Sequence, residues 1–192
     1  MTAIAAAIAV VASVFYLNRP PSTVWTGSMI GTGDMSISVP RLSPDGTILA
    51  FNATDGLYPQ VGVMKPQTGD RAILTHATTI GYTWSLSWSA DGSRIYYDRF
   101  IGYQPFGIYS VPALGGDEHL VLENAGFPDP LPDGSLMVER LNEHRKMQVC
   151  RYWPDTGKLQ AFLVGDSSGD DRAPIQHLPG GHQVIVHGSC KV

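Results

Sequence analysis

An Asp-Gly corner recurs in this chain at nearly constant spacing, and this recurrence constrains the fold more than any other feature. The three clear corners contain Asp45, Asp91 and Asp133, which are 46 and 42 residues apart. A weaker fourth copy has Gly180 at the same place, 47 residues further on. A repeat of this length indicates one structural unit built several times, because each unit needs its neighbours to bury its apolar surface.

The corners consist of residues typical of tight turns. Proline presets φ, aspartate bonds to its own backbone, and glycine adopts positive φ without steric cost. We assign a structural role in turns to the following residues: Pro44, Asp45, Gly46, Asp91, Gly92, Pro132, Asp133 and Gly134. A ring of functional carboxylates is the alternative interpretation of the aspartates, and their shared turn position disfavours it.

Each corner is followed by a short apolar strand, and two further strands complete the unit. The strands after the corners cover residues 48–51, 95–97, 136–138 and 184–186. The third strands cover 61–64, 107–111 and 147–152, and the fourth strands cover 72–74, 120–122 and 160–164. Strands that are apolar on both faces are typical of sheets packed between two layers. The pattern predicts an all-β fold, a partial β-propeller of about three and a half four-stranded blades.

The repeat resembles a known family. The segment Ser-Pro-Asp-Gly-x-x-x-x-Phe at residues 43–51, and the Gly-Gly-Asp-Glu turn at 115–118 after the strand at 108–111, resemble the WD40-like (TolB-type) propeller repeat. The resemblance covers about residues 36–188, with two departures: Ala90 replaces proline in the second copy, and Gly180 replaces aspartate in the fourth. It implies a module that binds or senses rather than catalyses.

Proteins with such repeats include periplasmic TolB, the propellers of prolyl-oligopeptidase-like enzymes, and the extracytoplasmic propellers of bacterial membrane Ser/Thr kinases. An apolar segment, a short linker and then these repeats most resembles the kinase group. The chain itself has no Gly-rich loop leading to a strand lysine, no His-Arg-Asp and no Asp-Phe-Gly. The resemblance therefore implies a detached outer part of a receptor-type kinase. The alternatives are the gating propeller of a serine peptidase and a free periplasmic scaffold.

Residues 3–17 form an uncharged apolar run that ends at Asn18 and Arg19. Its 15 residues are slightly fewer than a spanning helix needs, and no basic residue precedes it as in a signal peptide. Phe15 and Tyr16 are typical of a membrane interface. We expect residues 1–19 to be an anchor or signal helix, with a membrane anchor favoured over a cleaved signal or a buried helix. A span shortened at its N-terminal side would also explain the length.

We expect residues 20–35 to be a linker and residues 36–192 to form the blades. The chain then stops within a fourth blade, so we expect an incomplete ring, completed by missing sequence or by self-association. The apolar faces of the first blade and of the half blade would be exposed, and the segment 22–192 would aggregate or form oligomers.

Composition excludes some partners and leaves others open. The net charge is −4 and there is no run of Lys or Arg, so we expect no nucleic-acid partner. Cys150 and Cys190 are too few for a disulfide scaffold; Cys150 lies in a predicted strand, where we expect it to be buried, and nothing supports a bond between the two. We expect no cofactor.

Three groups of residues match catalytic or metal-binding patterns only weakly. Gly165–Gly169 fits Gly-x-Ser-x-Gly around Ser167, but no helical stretch follows it, so a loop between blades is favoured. The other two groups are the acidic loop with Asp166, Asp170 and Asp171, and the histidines His177, His182 and His187. The acids lack calcium-loop spacing, and five-residue spacing sends successive histidines to opposite strand faces. We therefore expect no catalytic and no metal site.

Aromatic residues near predicted loops are the best candidates for a binding face. They are Tyr82, Trp84, Tyr103 and Phe106. Ligands of propellers bind where loops gather, and an aromatic side chain there offers a large apolar contact. The partner, a protein or a small ligand, is not specified by these residues.

Overall fold

The computed structural model describes Ser13 and residues 36–55, 58–78, 80–101, 104–143, 147–161, 175–177 and 184–186. The first sheet contains β1 (Ser36–Leu42), β2 (Leu49–Asp55), β3 (Tyr58–Met64) and β4 (Arg71–Ile73). The second contains β5 (Leu86–Trp88), β6 (Arg94–Ile101), β7 (Gln104–Pro112) and β8 (His119–Glu123). The third contains β9 (Ala125–Pro130), β10 (Leu136–Leu141), β11 (Met147–Trp153) and β12 (Lys158–Ala161), and β13 (Ile175–His177) pairs with β14 (Val184–Val186).

Every sheet is antiparallel, and its strands follow one another in sequence order. The predicted all-β arrangement of three four-stranded units and the first two strands of a fourth is confirmed. The strands after the corners are longer than predicted: β2 and β6 have 7 and 8 residues.

The Asp-Gly corners connect the first two strands of each blade. The N–H of Ser43 donates to the carbonyl of Ile48 at 2.7 Å, and Ser89 makes the same bond to Arg94 at 2.9 Å. In the third blade the bond closes one residue earlier, at Ser135, so this corner is one residue shorter. The missing residue lies after Asp133, between the aspartate and the start of the second strand.

Side chains from neighbouring blades pack into two apolar layers. Ala50 and Val61 of the first blade join Ile95, Tyr97 and Val111 of the second in one cluster. On the other face of the second blade, Ile108 joins a cluster of third-blade residues: Ala125, Leu136, Val138, Cys150 and Tyr152. Each fully buried Ile or Val stabilises the fold by about 1.5–3 kcal/mol, which explains strands that are apolar on both faces.

The innermost strands of the three blades lie side by side. Nε1 of Trp88 donates to the carbonyl of Arg41 at 2.9 Å, which joins β5 to β1. The hydroxyl of Ser87 donates to the carbonyl of Pro128 at 2.6 Å, which joins β5 to β9. The inner ends of the blades are therefore tied together by polar contacts as well as by packing.

The expected open face of the first blade is not observed at its centre. Phe51 and Ala53 point away from the second blade, yet neither has any exposed surface. The expectation that this face is exposed is therefore wrong there.

The expected helix at residues 1–19 and the linker at 20–35 lie outside the described residues, apart from Ser13. Within the part of the chain that the structure describes, no helix has the length and apolar character to cross a membrane.

Candidate functional site

The corner aspartates bond within their own turns. Asp45, Asp91 and Asp133 each accept a hydrogen bond from the backbone N–H two residues ahead, at 3.1, 3.0 and 3.2 Å. The hydroxyl of Ser89 donates to Asp91 at 2.6 Å, and this bond is the main reason that the pKa of Asp91 falls to about 2. The pKa of Asp45 is lowered in the same way, chiefly by Ser43. Carboxylates held in this way stabilise turns and do not exchange protons near neutral pH.

The opposite edge of the blades carries exposed apolar side chains. β2 and β6 run from the corners to this edge, where each turns back into the next strand. We call it the loop edge, and its exposed apolar residues are Tyr58, Ile80, Tyr82, Trp84, Ile101 and Phe106. Among the described residues, only three other large apolar side chains are exposed, namely Leu42, Leu114 and Leu120. Exposed apolar groups gathered at one edge mark a site of interaction.

Three of the four residues selected from the sequence lie at the loop edge. Tyr82, Trp84 and Phe106 are 60%, 49% and 50% exposed. Tyr103 lies outside the described residues. Tyr82 is held by backbone bonds in both directions to Phe100, of 2.9 and 2.8 Å. The loop that carries Tyr82 is therefore fixed to the second blade.

Phe106 packs on a cluster of charged and aromatic side chains in the second blade. Phe106 stacks on Tyr109, with ring centroids 6.4 Å apart, and the guanidinium of Arg99 lies 4.5 Å from the Tyr109 ring centre. Arg99 donates twice to Glu118, at 2.7 and 2.6 Å, and the hydroxyl of Tyr97 donates to the same carboxylate. Burial, and then that hydrogen bond, raise the pKa of Tyr97. The sequence did not predict this cluster, because Glu118 lies in the connection between β7 and β8, far along the chain from Tyr97 and Arg99.

The buried carboxylate of Asp98 also fixes the loop that carries Tyr82, at the end of that loop that leads into β5. Asp98 has no exposed surface and accepts the N–H groups of Trp84 and Ser85 at 2.7 and 3.0 Å. Its second oxygen accepts the N–H of Phe127, in the third blade, at 3.0 Å. Burial raises the pKa of Asp98 to about 6, and the backbone hydrogen bonds offset part of that shift. The sequence signal that was overlooked is an aspartate in the middle of a predicted blade strand, next to Tyr97.

A cavity of about 260 Å³ lies at the loop edge between the first and second blades. Its wall on the first blade includes Ser38, Asn52, Thr54 and Pro59, and its wall on the second blade's entry loop includes Tyr82 and Trp84. The first-blade wall therefore offers three polar side chains, and the second-blade wall offers two aromatic rings. A cavity of this size and lining accepts a side chain or a small molecule.

The other candidates take no part in this surface. Cys150 is a free, buried thiol, and burial raises its pKa. His177 lies in β13, whereas Ser167, Asp166, Asp170, Asp171, His182, His187 and Cys190 are outside the described residues. Among the residues that the structure describes, no three His, Cys, Asp or Glu side chains are grouped as metal ligands.

Solved structures share the fold of this chain. TolB from Acinetobacter baumannii is 19% identical, with a TM-score of 0.60, and the match covers 82% of this chain and 41% of that one. A protein described as TolB from Agrobacterium tumefaciens is 17% identical, with a TM-score of 0.64 and coverage of 83% and 56%. The β-propeller domain of the Trilobed protease from Pyrococcus furiosus is 15% identical, with a TM-score of 0.51 and coverage of 70% and 44%.

These likenesses show a β-propeller fold, so the predicted propeller is confirmed. The chain spans only 41% to 56% of the length of the three proteins. No protein-family model and no curated protein sequence matches it.

Proposed function

We propose that this chain is the binding part of a membrane-anchored receptor or sensor, whose propeller recognises a partner outside the cytoplasm. The observation that carries the proposal is the loop edge, where six apolar side chains stay exposed above firmly packed blades. Aromatic side chains at such positions supply most of the energy of many protein interfaces. In this role the chain binds rather than catalyses.

The anchor in this proposal is the apolar run at residues 3–17, which a short segment separates from the first blade. Phe15 and Tyr16 near the end of this run, and Arg19 just after it, are the aromatic and basic residues that favour a membrane interface. A kinase domain preceding this run would make the full gene product a receptor-type kinase. The gene sequence upstream tests that part directly.

Site-specific photo-crosslinking tests the binding edge. A photoreactive amino acid replaces Phe106 in the full chain, expressed in the cells that naturally produce it, and a matched variant carries it at Leu114. Leu114 is 95% exposed but lies at the edge of the corners, after β7. We expect a discrete adduct from position 106 and none from position 114. Equal adducts from both positions, or none from either, would contradict the proposal.

Membrane fractionation tests the anchor. We expect the full chain to stay with the membrane after an alkaline carbonate wash, and a variant lacking residues 3–17 to be released. N-terminal sequencing of the mature protein distinguishes a cleaved signal, since a mature chain that begins after residue 17 would replace the anchor with a free scaffold.

A second function is favoured by the likeness to the propeller domain of a protease. In that case the chain would be the gating propeller of a serine peptidase. The downstream gene sequence discriminates the two, because a peptidase requires a following α/β domain with its own nucleophilic serine.

A further inference from the structure

The second strand of each blade carries a buried polar residue at an equivalent position. Asn52, Asp98 and Glu139 are 5%, 0% and 4% exposed. Each stands opposite the third strand of its own sheet, paired in register with Val61, Ile108 and Val149 respectively. Such positions on repeated units are expected to meet similar surroundings in the neighbouring blade.

Both carboxylate oxygens of Asp98 accept hydrogen bonds, and one of the donors lies in the neighbouring blade. The residue that reaches it from the third blade is Phe127, which has a positive φ of 53° and lies where the register of β9 against β10 shifts. This bulge turns the N–H of Phe127 towards the preceding blade, where Asp98 accepts it. Beside it, the ring of Phe100 packs 5.7 Å from the ring of Phe127.

Asn52 has no corresponding donor from the neighbouring blade among the described residues. β5 pairs with β6 without a register shift, and the N–H of Ser85 bonds to Asp98 of its own blade instead of reaching back. The amide nitrogen of Asn52 donates to Ser38 at 3.2 Å, but its buried Oδ1 has no partner among the described residues. Thr54 occupies the position of Phe100, since both pair with a proline in the third strand.

We propose that the cavity between the first and second blades binds an extended peptide segment that carries an aromatic side chain. The peptide N–H donates to Oδ1 of Asn52, as the N–H of Phe127 does to Asp98. The aromatic ring fills the space above Thr54 that Phe100 fills in the next interface. Tyr82 and Trp84, which line the same cavity, cover the ring.

This inference rests on the proposed function, because it names the chemistry of the partner at the loop edge. The second interface supports a peptide as the occupant, since a chain segment with a backbone donor and a phenyl ring already occupies the equivalent place there. An unsatisfied buried amide oxygen also favours an occupant that brings a donor.

The test uses the full chain in detergent micelles and N-acetyl-phenylalanine amide as the probe, followed by NMR shifts of the protein. For a probe of this size we expect a dissociation constant of about 1 mM. N-acetyl-alanine amide, which lacks the ring, should bind at least about tenfold more weakly. Glucose serves as the probe for a carbohydrate occupant.

Two variants locate the site, and a third is the matched control. Thr54→Phe places a ring where Phe100 has one, so we expect it to abolish binding while raising the melting temperature. Asn52→Leu removes the acceptor and should weaken binding about tenfold. Leu114→Ala, at the other edge, should leave binding unchanged. The rise in melting temperature shows that Thr54→Phe has folded.

Three results would overturn the inference: no saturable shift with the phenylalanine probe, unchanged binding in Thr54→Phe, or tighter binding of glucose than of the probe. The two proposals fail separately. A crosslink from position 106 without probe binding keeps the loop edge as an interface and removes the cavity as its peptide site. Probe binding without that crosslink shows a peptide site that no partner occupies in the cell.

Discussion

The two interfaces between blades arise from the same repeat but are filled differently at the loop edge. At the second interface, Phe100 is 1% exposed and its ring lies close over Gly126, where an added Cβ would come within 2.8 Å of it. At the first interface, Thr54 stands at the position of Phe100, and a cavity of about 260 Å³ lies beside it. Towards the corners the two interfaces are alike, since both are closed by large buried side chains.

The difference shows which half of an interface holds the blades together and which half can differ between interfaces. Packing near the corners supplies the cohesion of both interfaces, because fully buried residues such as Ile95 and Leu136 lie there. The loop-edge half of the second interface adds a bonded carboxylate and a phenyl ring. The first interface lacks both additions and still packs, so its loop-edge half is available for another role.

The largest expected effect comes from the ring at the second interface. Phe100→Ala should lower the free energy of unfolding by about 3–5 kcal/mol, because it leaves a large cavity beside Phe127 and Gly126. The matched change at the first interface, Thr54→Ala, should cost less than about 1 kcal/mol. Chemical denaturation of both variants measures the difference. Equal losses would mean that the two interfaces depend equally on their loop-edge halves.

The next largest effect is a pH dependence below neutral pH at the second interface, where Asp98 is buried. The pKa of Asp98 is raised to about 6 in the folded chain, against an ordinary value near 4 when unfolded. Between about pH 4 and 6 the folded state therefore binds more protons, and its stability falls as pH rises. Deprotonation of Asp98 in the folded chain lowers the free energy of unfolding by about 3 kcal/mol in all.

Asp98→Asn cannot titrate, so its stability relative to the natural chain should rise by about that amount from pH 4 to pH 7. Denaturation curves at several pH values measure this. Asp91→Asn is the control of opposite sign: the pKa of Asp91 is lowered to about 2, so its carboxylate stabilises the fold above about pH 4 and loses that effect as pH falls towards 2. Parallel stability profiles for Asp98→Asn and the natural chain would refute the role given to Asp98.

The regular parts of both interfaces were predictable from the sequence. The period of Asp45, Asp91 and Asp133 predicts the corners, and the apolar runs behind them predict the strands, because turn chemistry and burial are local properties. The exposed positions of Tyr82 and Trp84 also follow from their place in a connection between blades.

The loop-edge half of each interface was not predictable in the same way. Whether Asp98 or Asn52 finds a donor in the next blade depends on a one-residue bulge there, and Phe127 lies 29 residues from Asp98. No local pattern marks that bulge. The 46-residue spacing of Asn52 and Asp98 shows that the positions are equivalent, but it does not show that one is bonded and the other is not.

A smaller effect of opposite sign is expected at Asn52. Its Oδ1 is buried without a partner in the described part of the chain, so Asn52→Leu should raise the free energy of unfolding by about 1 kcal/mol. Asp98→Leu, the matched change in the second blade, leaves three backbone N–H groups without their acceptor and should be clearly destabilising. A rise in melting temperature for the first variant and a fall for the second is the expected pair of results. Destabilisation by Asn52→Leu would mean that the amide is satisfied, and the two interfaces would then be alike.

The smallest effect concerns the rim of the cavity at the first interface. Tyr82 is 60% exposed, and the bonds that hold it are made by its backbone, so Tyr82→Ser should change the free energy of unfolding by less than about 0.5 kcal/mol. Phe127→Ser, at the filled interface, removes a ring that is 7% exposed and should cost several times more. Thermal melts of the two variants give the comparison. A large loss for Tyr82→Ser would show that the exposed ring serves stability, whereas an unchanged melting temperature leaves binding as the reason for an apolar ring at that rim.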